Sequence, residues 1–511
     1  MEYELVDLSK NELPKRKYVI YGAGKAGKLL FHYLSDVKGE NVCCCDSNIM
    51  LVNRSAAPKV ILPEEAAKED DVFFLIGFMD DDSDKHHSAI DTLNGVGVAN
   101  GRMIHVSMND YIESCVFAND LKRFIEKNPP EEPKRLTNIF GICFLAHAFI
   151  KENEARPTGG PIGAEIMQKR LLGQHFNGIK LYFPYFNPIR VYFNTDKFFV
   201  FVDAIMQAKQ LAENVDDMVY VANDVFCAYG LYLAGAKYIL VFHAQGDFIK
   251  ERMYWGSFVS DEEYKLLTDI ERKAFENAYK VFFPSKGAEQ YFIKDTEESF
   301  NYKSGLPLYN SIYEYPEPAQ CGALVKDDTK LTFLSVGQMT DLKGIDRIPA
   351  FLKRVADLSG KKIRWICVAD GPLKEKVKDS VDHVFGNGGI EYINIDFKIP
   401  HEEIFGLMKI ADIYIMLQRV SIFDFSTLEA MYCGKAVILS DIPGNDEFNA
   451  ENNILLCDEN VSDQAIRDLL DNIEDYGVRN KEVYKRYFGG ESFIERYHKC
   501  LKDFCDAVES E

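Results

Sequence analysis

The sequence predicts an α/β protein built from three parallel-sheet units in series, and three observations carry that prediction. Short β-branched or aromatic runs alternate with longer helical patterns along the chain, the order expected of βαβ crossovers. Two stretches rich in proline and charge interrupt the alternation, NPPEEPKR at Asn128–Arg135 and YPEPAQCG at Tyr315–Gly322. Neither can continue a helix or a central strand. The 511 residues suit three or four domains at ~150 residues each, and cutting at those stretches leaves pieces of about 130, 180 and 190 residues. No fixed-period repeat is present, which argues against a solenoid or propeller.

Each piece shows the pattern in turn. In the first, KYVIYG is followed by the helical KAGKLLFHYLSD and then by NVCCCD. In the second, AKYILVFHAQGD follows a helical stretch and precedes ERKAFENAYK. In the third, KLTFLSVG, KKIRWICVADG, IEYINID, ADIYIML and KAVILSD are separated by helix-length segments. The expected boundaries are 1–130, 137–315 and 320–490, with a C-terminal helix at 491–511.

Composition narrows the function. Hydrophobic residues make up 47% and charged residues 27%, which excludes disorder, collagen-like repeats and a coiled-coil rod. Lys plus Arg is 59 against 80 Asp plus Glu, a formal charge of −21, so a broad nucleic-acid interface is not expected. The deficit also weakens attraction to anionic lipid, although a local basic patch leaves peripheral membrane contact open. The N-terminus lacks an apolar run with a cleavage site, and no apolar stretch reaches the ~18–20 residues of a bilayer span. Several of the 12 cysteines sit in apolar runs (Cys43, Cys44, Cys45, Cys143, Cys367), which reads as buried reduced thiols in a cytoplasmic protein. No Cys or His pair has zinc-ligand spacing, and the acidic run Met79–His87 reads as a solvated loop, not a metal patch.

Gly22, Gly24 and Gly27 form G-x-G-x-x-G between the strand KYVIY and a helix. Such glycines permit a tight turn and let a pyrophosphate approach the free N–H groups of the helix. Asp46 closes the next strand, 24 residues after Gly22, where a ribose-binding carboxylate belongs. A nucleotide, dinucleotide or nucleotide sugar at this N-terminal domain is one expectation. Simple helix–strand packing by the same glycines is the other.

The third piece carries the strongest signal. SVGQMTDLKGIDRI places Gly337 at a strand end and Lys343 six residues later, at the start of the next helix. A lysine and free backbone amides together suit a diphosphate. VADGPLKEKV with Gly371, ADIYIMLQRVSIFDFSTLEAMYCGKAVILSD and PGNDEFNAENNILL follow. In order and spacing these resemble the donor-binding half of the retaining GT-B glycosyltransferases called family 4. The second piece resembles the acceptor half, with PTGGPIGA (Gly159, Gly160, Gly163), VFHAQGD with His243 at a strand end, KVFFPSKGA and LYNSI. The resemblance covers about 137 to 505. It implies a GT-B fold, two Rossmann-like domains facing a cleft, with an additional Rossmann-like domain in front.

The resemblance also implies roles. A nucleotide sugar, expected to be a UDP-sugar, lies in the cleft and Lys343 neutralises its diphosphate. The backbone from Phe423 through Thr427 to Leu428 receives that diphosphate, and Glu429 holds the ribose at the start of the same helix. Gly159 and Gly160 let backbone approach the leaving phosphate, and His243 contacts the donor sugar. The class needs no metal and no further cofactor; positive charge and oriented N–H groups do the stabilising. Two positions depart from the family pattern: Ser421 stands where a first glutamate is usual, and Gln338 where an arginine is usual. Asp424 is the nearest acid to replace the carboxylate, and Arg419 or Arg347 the nearest cation. Each residue also has a structural reading: His243 as a core histidine, Lys343 as a helix starter, Glu429 as a first-turn acid favoured by the helix dipole, the glycines as a turn.

The expected function is therefore a retaining, metal-independent hexosyltransferase that moves a sugar from a nucleotide sugar to a glycan, glycolipid or glycoprotein acceptor. The expected setting is surface polysaccharide or glycoprotein synthesis. The losses at Ser421 and Gln338 motivate a first rival, a non-catalytic glycosyltransferase-like partner or chaperone subunit. The N-terminal glycine loop motivates a second, a nucleotide-binding or oxidoreductase function.

Overall fold

Three six-stranded sheets follow one another along the chain. The computed structural model describes residues 3–48, 58–79, 83–136, 138–146, 160–185, 199–254, 256–314, 324–386, 389–395 and 399–510. The second proline-rich stretch and Gly159 lie outside these residues. The first sheet comprises β1 (Leu5–Val6), β2 (Lys17–Tyr21), β3 (Val42–Cys45), β4 (Val60–Ile61), β5 (Val72–Ile76) and β6 (Met103–Val106). The second comprises β7 (Gly141–Leu145), β8 (His175–Phe176), β9 (Ile179–Tyr182), β10 (Met218–Ala222), β11 (Tyr238–Val241) and β12 (Val281–Phe282). The third comprises β13 (Lys330–Val336), β14 (Lys362–Val368), β15 (Ile390–Ile395), β16 (Ile413–Met416), β17 (Ala436–Ser440) and β18 (Leu455–Cys457).

The strand orders are β1-β6-β5-β2-β3-β4, β12-β11-β10-β7-β9-β8 and β15-β14-β13-β16-β17-β18. All neighbours run parallel except β8 with β9. The second and third sheets start at a central strand, build to one side and then cross to build the other; the first does the same from β2, with β1 at its far edge beside β6. That reversal opens a crevice at the carboxyl ends of the two central strands, where α/β proteins place ligands. The crevices fall between β2 and β5, between β7 and β10, and between β13 and β16.

Why these runs become central strands is visible in the third sheet. Helices cover both faces, so β13, β14, β16 and β17 are almost continuously buried and apolar. Trp365 on β14 is fully buried, yet its indole N–H reaches Ser335 Oγ at 3.0 Å, and that hydroxyl donates to Ile415 O at 2.8 Å. One polar chain thus ties three strands without leaving a donor stranded in the core.

The chain condenses into two compact units. One gathers the described residues of Met1–Pro130, Pro188–Met206 and Arg252–Glu271, so the first sheet is joined by segments far along the chain. Ser114, on the helix Asp110–Lys127, donates to Ser260 Oγ at 2.8 Å and also to Glu263, all buried. Met79–His87 is not a loop throughout: the helix Ser83–Gly95 begins within it, and His86 is buried with its Nδ1 2.8 Å from that of His105. Its spacing of apolar and histidine side chains lets one face enter the core, which the acidic lettering concealed.

The other unit holds the second and third sheets. The proline-rich stretch at its start has no regular structure; it is pinned by Glu131 N–H to Leu233 O (2.9 Å) and Lys134 N–H to Gly235 O (2.7 Å). The last helix, Gly490–Glu509, returns to the second sheet. Phe493, Tyr497, Leu501 and Phe504 pack with Ile142, Phe144, Val219 and Ile239. Tyr497 OH also accepts from Gln168 Nε2 at 2.9 Å. Nine of the described cysteines are buried and none is disulfide-bonded; burial pushes the Cys44 and Cys143 thiols up to about 12. No described helix is long and apolar enough to cross a membrane.

Because Leu501 is fully buried in that second core, Leu501→Ala should cost about 2–5 kcal/mol. A lower thermal midpoint of the full-length protein checks this; an unchanged midpoint would show that the helix does not complete the sheet.

Candidate active site

The third sheet's crevice gathers most of the residues the sequence singles out. After β13 the chain passes Gly337 and the exposed Gln338, reaches Lys343, and turns at Gly344 into a short 3-10 turn, Ile345–Arg347. The next α-helix starts only at Ile348, so Lys343 sits in the loop and not at the helix start expected for it. Gly344 has φ +61°, and a Cβ there would fall 1.8 Å from Leu417 O, so only glycine lets this loop touch the end of β16. Gly371 braces the loop from β14: its φ is +147°, and a Cβ would fall 2.9 Å from Met339 O.

Across the crevice, β16 leads to the helix Phe425–Tyr432. Asp424 is its N-cap, accepting from Thr427 N–H at 3.2 Å and Thr427 Oγ1 at 3.1 Å. The buried Tyr414 hydroxyl donates to the same oxygen at 3.3 Å. The other carboxylate oxygen accepts from Lys343 Nζ at 3.0 Å. The two groups most strongly tied to diphosphate and sugar chemistry in the sequence therefore meet each other. Phe423 is buried in an aromatic stack with Tyr309 (5.3 Å) and Phe448 (4.6 Å), and Thr427 and Leu428 are fully buried.

Glu429 is the fifth residue of its helix, not a first-turn acid. A different group holds it: His401 Nε2, 2.6 Å from Glu429 Oε1 and on the helix His401–Ile410. Burial pulls His401 toward neutrality, but the hydrogen bond and charge of Glu429, with Glu402, outweigh it and raise its pKa above the ordinary imidazole value. No sequence signal pointed to His401, because it meets Glu429 only through the fold.

The remaining cations divide. Arg419 forks onto Asp346, with Nη1 and Nη2 2.9 and 3.0 Å from its two oxygens, and Lys376 joins at 3.1 Å. Arg347 reaches Leu417 O at 3.4 Å. Among the described residues, the buried Ser421 hydroxyl has no hydrogen-bond partner, and Gln418, fully buried just after β16, has none for either side-chain amide atom.

Gly160 and His243 stand at the carboxyl end of the second sheet. Gly160, φ +80°, precedes the helix Pro161–Leu172. His243 follows β11, buried, with Nε2 unpaired. Burial pushes its pKa down to about 4, against the pull of Asp224, so the ring is neutral near pH 7. This sheet meets the third directly: Ser285 Oγ donates to Ile422 O, and a Cβ on Gly287 would fall 2.3 Å from the Pro443 carbonyl carbon.

In the first sheet, Gly22 is required by its φ of +94°, and Gly27 by packing, since a Cβ there would fall 1.9 Å from Gly22 O. Asp46 accepts from Ala23 N–H at 2.7 Å and from Asn48 N–H at 2.8 Å. The carboxylate expected to meet a ribose is engaged by the loop's own backbone.

Residues 318–487 match the family model described as glycosyl transferases group 1. That span contains the whole third sheet and its crevice. A relative described as an uncharacterized glycosyltransferase, MJ1069 of Methanocaldococcus jannaschii, is 29% identical over 247 residues, 46% of this chain. The chain spans 60% of that relative's length. Among solved structures, a glycosyltransferase from Rickettsia africae is 13% identical, with a TM-score of 0.49, covering 72% of this chain and 99% of that one. A sucrose-phosphate synthase from Thermosynechococcus elongatus is 14% identical, with a TM-score of 0.48, covering 74% and 100%. Anabaena Alr3699/HepE in complex with UDP-glucose is 15% identical, with a TM-score of 0.45, covering 71% and 99%.

The His401–Glu429 pair gives a signed pH dependence. A histidine whose folded pKa is raised contributes stability that is full below its unfolded pKa of about 6.5 and is lost as pH rises through the folded value. The stability gap between wild type and His401→Gln should therefore be widest below pH ~6.5 and narrow above it. Urea midpoints across that range test this, and a gap that does not vary with pH would remove the ionic part of the pair.

Proposed function

We propose that this chain is a retaining glycosyltransferase of GT-B architecture that uses a nucleotide-sugar donor, with a UDP-sugar as the first donor to test. The observation that carries the reading is the convergence of Lys343 and the N-terminus of the helix Phe425–Tyr432 in the third sheet's crevice, inside the matched family region. A lysine ammonium and a helix N-terminus both favour a diphosphate. Glu429, whose Oε1 lies 2.6 Å from His401 Nε2, is proposed to accept from ribose hydroxyls through its other oxygen. His243, neutral and with Nε2 unpaired, is suited to hydrogen-bond a sugar hydroxyl or a developing oxyanion without adding charge.

Lys343 and the amides from Phe423 to Leu428 would stabilise the nucleoside diphosphate as it leaves. Gly160 would let the second sheet's backbone approach the same phosphate. The acceptor is proposed as a glycan, glycolipid or glycoprotein. The GT-B pair is assigned to residues 137–315 and 320–490, and the first sheet to a docking or regulatory module. Asp46's engagement with Ala23 N–H supports packing as the role of the glycine loop. A second reading, a non-catalytic glycosyltransferase-like partner, is favoured by one observation: Ser421 is a buried hydroxyl where the resembled family carries a carboxylate.

Purified protein incubated with a panel of nucleotide sugars should release nucleoside diphosphate with at least one acceptor class present. Lys343→Ala should lower that release about 30-fold or more, the loss expected from deleting one partner of a charge pair shielded from water, while the circular-dichroism spectrum stays unchanged. Full activity in that variant would remove Lys343 from the site. Donor binding without release would favour the non-catalytic reading.

A further inference from the structure

We propose that Asp424 is a built-in competitor for the donor's diphosphate: it holds Lys343 while the site is empty and must yield it before the donor can seat. The inference rests on the reading of Lys343 and the helix Phe425–Tyr432 as the diphosphate seat, and it assigns that seat a regulation of its own.

Three features of the crevice carry it. The Lys343–Asp424 pair is short, 3.0 Å, and its side chains are only 26% and 7% exposed, so the attraction is poorly screened. Asp424 cannot swing aside, because Thr427 N–H, Thr427 Oγ1 and Tyr414 OH hold its second oxygen. The negative charge that a helix N-terminus attracts is therefore already supplied from within, and the Thr427 N–H is already satisfied. Of the neighbouring cations, Arg419 and Lys376 both lie on Asp346, and Arg347 donates to the Leu417 carbonyl at 3.4 Å. A diphosphate approaching the helix meets a lysine already paired.

Lys343 is the member able to move. Its side chain enters from a loop and passes Gly337, where a Cβ would fall 3.3 Å from Met416 Cε and 3.9 Å from the lysine's Cδ. Transfer of the ammonium from one carboxylate to a diphosphate carrying two or more charges is favourable; transfer to a single weak anion is much less so. The arrangement thus selects for diphosphates over monophosphates. Asp424 acts through Lys343 and the helix cap, so it is a positioning residue and not a group that touches reacting atoms.

The test is a double-mutant cycle read by calorimetry with UDP, GDP and ADP on the full chain. Asp424→Asn keeps a capping side chain but removes the charge, so the best-bound diphosphate should bind about tenfold tighter. In a Lys343→Ala background the same substitution should change binding by less than about threefold, because the lysine it would release is absent. Asp424→Ser, which also caps, carries the same readout if the Asn variant does not fold. Unchanged or weaker binding by the charge-removing variant overturns the proposal while the diphosphate seat stands. A full gain that persists without Lys343 also overturns it, since that gain would be simple repulsion. If Lys343→Ala binds the nucleotide as wild type does, or if no variant binds any of the three, the seat itself falls and the proposal with it.

Discussion

The ion pair between Lys343 and Asp424 is the constraint around which the third sheet's crevice is organised. It joins two loops that leave adjacent central strands, β13 and β16, and it starts the helix that carries Glu429. Backbone contacts fix both loops before the side chains meet: Gly344 against Leu417 O on one flank, Gly371 against Met339 O on the other. With the two loop backbones held by such close approaches, the pair forms at little further cost in backbone freedom, and its low exposure leaves the attraction poorly screened.

Polar groups are distributed unevenly around that pair. Trp365, Ser335 and the carbonyl of Ile415 form a satisfied chain inside the sheet. At the carboxyl ends of the strands, Gln418, Ser421 and His243 leave polar atoms buried and unpaired. Each such atom costs about 1–3 kcal/mol in an empty protein. Costs of that kind are tolerated where a ligand or bound water recovers them; among the described residues Thr332 Oγ1 on β13 and Tyr220 OH on β10 carry them inside the sheets as well.

Much of the architecture was legible in the residues. Continuous apolar runs such as KLTFLSV and IYIM became central parallel strands because helices cover both faces, and glycine and lysine at the strand ends marked the crevice. What escaped depends on contacts between distant residues. His401 and Glu429 are 28 positions apart and meet only when two helices pack. That Asp424 caps its helix and also pairs with Lys343, 81 positions away, is likewise set by the fold. Asp46 stands where a ribose carboxylate belongs, yet Ala23 N–H claims it, a choice set by the turn at Gly22. The two-letter pattern of Met79–His87 hid the helix that buries His86, and nothing local told that Arg252–Glu271 would join the first sheet's unit.

The return of the last helix to the second sheet sets the order in which the protein can be completed on the ribosome. β7 to β12 emerge long before Phe493, Tyr497, Leu501 and Phe504, which supply one wall of their core. The third sheet closes from residues 330 to 457 and has its strands in hand first. The second sheet must wait, with Ile142, Phe144 and Val219 lacking that wall, until synthesis reaches Gly490–Glu509. A later segment of the chain therefore finishes one of its older parts, and a nascent chain stalled before Gly490 presents an apolar sheet face for chaperones to shield.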